Sequence, residues 1–380
     1  MAAVTGTILV VRAATAVALL LLGLSATSAG SPGQYEDFHY SAYLPYLNGP
    51  GPLDDITEVP RLRVSFGERS YGVVMDTGST GVVVSADKIP NIDRLQSLGP
   101  GKLTYSSSGR IMVGKWVVTR MTITGGNGTR VTTAAIPVLA VTQLQCIEGA
   151  RRCTENEAPH GISMMGIGFG RRHDHQAQSG PDRNPFLNIN AEDGPNPERV
   201  RRGYIVTRQG IHIGLTSANT QGGFSYVKLA READGKDWAG TPACISVNGA
   251  KPAACGSLLM DTGVTTMYLT VPASQASADL VIGTGRARTL VNGTTLMISI
   301  PSDHSPQALY TFMLGDKANS LAPAYLTFVS RTRAPFVNTS LHFLNGFDYL
   351  YDADGGFVGF RWTGRVSQAL GKVVPASPSN

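Results

Sequence analysis

The sequence predicts an all-β protein built as two pseudo-symmetric halves. Three observations carry that expectation. Short runs rich in Val, Ile and Thr recur along the chain, separated by Gly, Pro, Asn and Ser. Helical periodicity is sparse. One tetrapeptide, Met-Asp-Thr-Gly, occurs twice, half a chain apart, each time after an apolar run.

Composition supports a buried core and removes several classes of function. Of the 380 residues, 42% are apolar and 16% charged, which excludes a disordered, polyelectrolyte or coiled-coil chain. The 44 glycines follow no triplet period, so the chain is not collagen-like. A formal charge of +5, with no basic stripe carrying interleaved aromatics, does not imply nucleic acid. His173 and His175 form a pair without a third ligand at suitable spacing, so neither a metal nor a cofactor is expected. No Gly-x-Ser-x-Gly elbow, His-Glu-x-x-His or phosphate loop is present, and serine-hydrolase, zincin and nucleotide readings lack support.

From the amino terminus, residues 1–29 read as a secretory signal. Arg12 precedes the apolar run Ala13 to Leu24, which ends in Ser25-Ala26-Thr27-Ser28-Ala29. That run is too short to span a bilayer, so the product is expected to be secreted or periplasmic and free of the membrane after cleavage. Export favours disulfides. Four cysteines allow three pairings, and their spacing suggests the local ones, Cys146–Cys153 and Cys244–Cys255. Asn248-Gly249 between the second pair is a type I′ hairpin signal. Both bonds are expected to be small staples without a catalytic role.

Residues 30–54 form an N-terminal leader, 55–207 a first lobe, 208–365 a second lobe and 366–380 a loosely held tail. Strands are predicted at Arg61 to Phe66, Tyr71 to Met75, Trp116 to Thr124 and Leu296 to Ile300. Ser305 to Asn319, opened by Ser-Pro, and Ser274 to Leu280 are the helical candidates. Arg171 to Arg202 is polar and reads as loops near the lobe boundary. The Arg pairs at 151–152, 171–172 and 201–202 read as solvated charges. Asn127, Asn292 and Asn338 fit the N-glycosylation pattern.

The repeat carries the chemistry. Val73-Val74-Met75-Asp76-Thr77-Gly78-Ser79-Thr80 matches Leu258-Leu259-Met260-Asp261-Thr262-Gly263-Val264-Thr265. At average composition a bare Asp-Thr-Gly arises by accident in roughly one chain of this size in ten, so two copies in matching context form a strong signal. An aspartate directly after Val-Val-Met is carried into an apolar interior, where a lone carboxylate is costly and keeps its proton. The Thr hydroxyl and the Gly N–H offer donors, and Gly permits a tight turn. Two such loops related by pseudo-symmetry bring their carboxyls side by side. Like charges that close cannot both ionise, so the pair shares a proton and titrates as a unit. One carboxylate can then take a proton from water while the other donates to a carbonyl, the arrangement of the aspartic-protease dyad.

In these residues the sequence resembles the pepsin-like aspartic endopeptidases, over roughly Ile56 to Trp362. Tyr105-Ser106-Ser107-Ser108-Gly109, followed by Gly114, resembles the family's flap hairpin. Met164-Met165-Gly166-Ile167-Gly168-Phe169 resembles the element that completes the first active-site loop, and Phe343-Leu344, Tyr349 to Asp352 and Val358 to Phe360 resemble the closing strands of the second lobe. The resemblance implies a bilobal fold of two β-barrel-like lobes with a peptide-binding cleft between them. It implies a peptide or protein substrate and a water nucleophile without a covalent intermediate, probed best at acidic pH. Asp76 and Asp261 are the implied dyad, supported by Thr77, Gly78, Ser79, Thr262 and Gly263, with Tyr105 closing the flap.

The sequence also departs from the family. Val264 stands where Ser or Thr usually bonds the second carboxylate, and Val83 where a tryptophan braces the flap tyrosine. Thr339-Ser340 replaces the glycine of the second completing element, and Asp76 to Tyr105 is shorter than in animal pepsins. With more donors, Asp76 is expected to be the ionised partner and Asp261 to hold the proton. The stretch before the first lobe strand is expected to be too short for an inhibitory propeptide. One chain carries both halves, so a monomer is expected rather than a retropepsin-like dimer. The alternative is a catalytically silent pepsin-fold binding or inhibitor protein, which both intact aspartates oppose.

Overall fold

The computed structural model describes residues 32–150, 153–174, 176, 178, 180–190, 200–365 and 371–373. The predicted signal, 1–29, lies outside them, as do Arg151, Arg152 and His175. Among the described residues regular structure is strand, interrupted only by short 3₁₀ turns.

Two large sheets follow from the two halves of the sequence. A nine-stranded sheet takes strands between Arg61 and Ile167, and an eight-stranded one takes strands from Thr241 onward. Residue patterning explains their layers. Along Arg61–Phe66 the arginines face out while Leu62, Val64 and Phe66 are buried, the alternation of a strand with one wet face. Thr80–Ser85 is buried at every position, and it lies in the sheet interior between Ser163–Ile167 and Ile136–Cys146.

A six-stranded sheet draws on both halves. Its order is Ala42–Pro45, Gly210–Leu215, Arg201–Val206, Phe347–Asp352, Phe357–Trp362, Ser225–Lys228. The leader builds its edge: Ala42–Pro45 pairs with the Gly210–Leu215 strand. Before it, Tyr35 is buried with Ile205, Leu215 and Leu350 and donates its hydroxyl to Asp352. The 207/208 boundary falls in the turn that joins two neighbours of this sheet.

The feature that builds the site occurs once in each half. Ser163–Ile167 runs parallel to Arg69–Asp76 and antiparallel to Thr80–Ser85, filling the space between them. Phe336–Asn338 does the same between Ala254–Leu259 and Thr266–Thr270. Each Asp-Thr-Gly turn is thereby held open at the end of three strands.

Both cysteine pairs are as expected, Cys146–Cys153 and Cys244–Cys255. The second links residues directly opposite in a hairpin whose turn residues, Asn248 and Gly249, both have positive φ, as a type I′ turn requires. Neither helical candidate is a helix. Ala308–Met313 is a strand, because Ala308, Tyr310 and Phe312 alternate with less buried residues and pack into the core against Thr295–Ile300. Within Ser274 to Leu280 only Ala278–Leu280 forms a 3₁₀ turn. Gly371–Val373, in the tail expected to be loosely held, adds an edge strand beside Ala308–Tyr310.

Candidate active site

The two Asp-Thr-Gly turns meet at the centre of the molecule. Thr77 and Thr262 bind each other reciprocally. The Thr77 N–H donates to the Thr262 hydroxyl oxygen at 3.1 Å, and the Thr262 N–H to that of Thr77 at 2.9 Å. Each hydroxyl then donates across the two-fold, Thr77 to the Met260 carbonyl at 2.6 Å and Thr262 to the Met75 carbonyl at 2.8 Å. Four buried hydrogen bonds therefore close a ring that uses both threonine N–H groups and both hydroxyls, which fixes the distance between the loops.

That ring brings the carboxyls together. A Cβ added to Gly78 would lie 2.4 Å from Asp261 Cγ, and one added to Gly263 2.4 Å from Asp76 Oδ1. Each loop's glycine is thus the floor on which the other's carboxyl rests, and no larger residue fits. Asp76 and Asp261 are both buried. Asp76 accepts the Gly78 N–H at 2.7 Å on Oδ1 and the Ser79 hydroxyl at 2.5 Å on Oδ2. Asp261 accepts the Gly263 N–H at 2.9 Å on Oδ1 and the Asn338 amide at 2.6 Å on Oδ2.

The carboxyls face each other within reach of a shared proton, and Asp261 is pushed up to about 8. Burial is the main cause and the neighbouring Asp76 charge the next; the Asn338 amide and the Arg171 cation pull the other way. The pair titrates together, with the proton favoured on the Asp261 side.

Tyr105 ends the first strand of a hairpin, Ser97–Tyr105 and Arg110–Thr119, whose turn is closed by the Gly109 N–H on the Tyr105 carbonyl at 2.8 Å. Its side chain is buried with Val83, Trp116 and Leu139. The hydroxyl has no hydrogen-bond partner. Burial first, and then the nearby Asp76 charge, push the phenol well above its ordinary range. Trp116, from the hairpin's second strand, shares the apolar cluster that Val83 and Tyr105 occupy. Ile136–Cys146 pairs with the Arg110 strand along its length, out to Arg110 opposite Cys146, so the hairpin is three-stranded to its tip.

Two residues near the carboxyls were not singled out as site residues by the sequence. Asn338, which fits the glycosylation acceptor pattern, is buried with its amide on Asp261. Its signal was a polar residue ending the apolar run Phe336-Val337. Arg171, expected to be solvated, is 7% exposed and donates from Nε to the Gly78 carbonyl at 2.8 Å. Arg201, another expected solvent charge, pairs with the fully buried Asp352 through two bonds.

The completing elements also differ. Gly166 lies opposite both Asp76 and Gly81, and a Cβ there would stand 2.6 Å from the Ser79–Thr80 peptide. Continuing the register of the second half places Ser340 at the matching position. Ser340 has φ 59° and a buried hydroxyl without a partner.

No family model and no curated protein matches the chain. Among solved structures, an aspartic proteinase from Irpex lacteus matches with a TM-score of 0.53 at 15% identity, covering 87% of this chain and 100% of that one. The fold is the bilobal pepsin-like one. At that identity the likeness speaks for architecture alone, and chemistry rests on the residues described above.

Proposed function

We propose that the chain is an exported aspartic endopeptidase in which Asp76 and Asp261 activate a water. The observation that carries this reading is the packing of each buried carboxyl on the other loop's glycine. Two acids so placed hold one proton between them. In the attack step the Asp76 carboxylate removes a proton from water, and the oxygen adds to the scissile carbonyl carbon. Asp261 gives its proton to the carbonyl oxygen. Collapse of the tetrahedral diol breaks the C–N bond: Asp76 gives the proton it took to the leaving nitrogen, and one diol hydroxyl returns its proton to Asp261 as the carboxylic acid forms.

Other features support the reading. Tyr105 ends the hairpin beside Asp76. A groove of about 1000 Å³ in the second half, lined by Thr57, Thr266, Arg288 and Tyr325 among others, reaches Thr266 at the start of the strand after the second loop but does not include either aspartate. The signal read at residues 1–29 and the two disulfides suit an oxidising compartment.

The test is a pH series on a denatured protein substrate, with and without a statine-type inhibitor, beside Asp76→Asn. Inhibitor-sensitive cleavage that is lost in the variant is expected. Because Asp261 must keep its proton, activity is expected to be present at acidic pH and lost as pH rises through the upper ionisation of the pair, about 8. Cleavage that survives Asp76→Asn sinks the proposal. A folded protein without cleavage at any pH supports the silent binding protein instead.

A further inference from the structure

Arg171 lies just beyond the strand that completes the first loop, after Gly170, which turns the chain at φ 63°. Its guanidinium is almost wholly removed from water, the side chain being 8% exposed. A cation so placed must be paired. Here the planar fork is divided between two tasks. Nε holds the Gly78 carbonyl, on the peptide that forms the floor of the Asp261 carboxyl. The other edge forms an ion pair with Asp174. Asp174 in turn lies 3.5 Å, by both oxygens, from the hydroxyl of Ser106 at the tip of the hairpin that carries Tyr105.

We propose that Arg171 is a positioning residue, holding the Gly78 turn on one side and, through Asp174, the hairpin tip on the other. Hairpin closure and the charge state of the carboxyl pair then depend on one ion pair. This rests on the endopeptidase reading for its catalytic meaning, though not for its geometry. Further contacts from the same segment support it. The Gln176 side-chain Oε1 accepts the Thr80 N–H, and the Gln178 side-chain Oε1 accepts both the Trp116 indole N–H and the Lys102 backbone N–H of the hairpin at 2.9 Å. The groups facing Asp261 are Asp76 from the first loop, Asn338 from the completing strand and Arg171 from this segment. Asp174 offsets the Arg171 charge, and Tyr105 faces Asp76.

The test uses Arg171→Met, Arg171→Lys and Asp174→Asn, read by carboxyl-carbon NMR titration of the pair, which needs no turnover, and by kcat and KM. Removing the cation is expected to move the titration up by roughly half a pH unit or more, and removing its counter-charge to move it down. Arg171→Lys is expected to keep the wild-type titration while losing about tenfold in kcat/KM, because a single ammonium cannot serve both partners. Asp174→Asn is expected to raise KM about fivefold with kcat nearly intact, because the hairpin tip is released. Should Arg171→Met not fold, the other two variants carry the test. Shifts in the same direction for Met and Asn, or none for either, overturn the proposal. Opposite shifts in a protein that cleaves nothing retain Arg171's role and reject the endopeptidase reading.

Discussion

The two Asp-Thr-Gly loops agree in backbone and disagree in the side chains that complete them. In the first, the outer carboxylate oxygen is served from inside the loop, by Ser79, and the strand passing beneath is a bare glycine, Gly166. In the second, Val264 offers no hydroxyl and the amide arrives from the passing strand itself, on Asn338. Both carboxyls receive two donors. What the halves share is a register and a requirement that a buried carboxylate be hydrogen-bonded; which residue meets the requirement has drifted. The drift has a cost at Ser340, a side chain in backbone space that glycine occupies freely.

Exchanging the residues of the matched positions is the strongest way to break this comparison. Gly166→Ser is expected to destabilise the protein by about 3 kcal/mol or more, because its Cβ would overlap the Ser79–Thr80 peptide, which is held by the loop and cannot retreat. Ser340→Gly is expected to stabilise by about 1 kcal/mol, relieving the positive φ and removing a hydroxyl without a partner. Denaturant unfolding of both variants checks the pair. Equal losses would show that Ser340 and Gly166 are not counterparts.

A smaller effect sharpens the account of the donors. Ser79→Ala and Asn338→Ala each remove one hydrogen bond to a buried carboxylate, worth about 1.5–3 kcal/mol, or roughly ten- to a hundredfold in kcat/KM. Asn338→Ala is also expected to carry the upper limb of the pH–rate profile to higher pH, since the amide favours the charged form of Asp261. An Asn338→Ala variant with wild-type rates would reduce the second loop to a single donor and end the equivalence.

These residues mark the limit of what the chain states locally. The repeat, the strands, the type I′ turn and both short-range disulfides were legible because each is written within a dozen residues. Asp76 and Asp261 were legible because the apolar run before each announces burial. Asn338 was not, since its bond to Asp261 spans 77 residues and a sequon has the same spelling whether its amide is in water or in a core. Arg171 was misread for the same reason. An arginine pair between polar residues looks solvated until a partner 93 residues away, the Gly78 carbonyl, takes the guanidinium inside. At Ala308–Met313 a Ser-Pro helix signal competed with strand alternation, and burial of Tyr310 and Phe312 in the second lobe's core decided it.

Val264→Thr isolates the smallest difference between the loops. Sequence reasoning makes Val264 the source of the asymmetry, and restoring a hydroxyl there should then strengthen the charged form of Asp261 and move the limbs of the pH–rate profile downward. The structure assigns that donor role to Asn338, so in the wild-type background the new hydroxyl meets an oxygen already served at 2.6 Å. The expected change is less than about twofold in kcat/KM, because a second bond to a satisfied acceptor adds little. In the Asn338→Ala background the same substitution is expected to recover several-fold of the lost rate, since the oxygen is then open. Parallel pH–rate profiles of the single and double variants separate the two accounts. A large downward shift from Val264→Thr alone would return the asymmetry to the loop and make the Asn338 contact incidental.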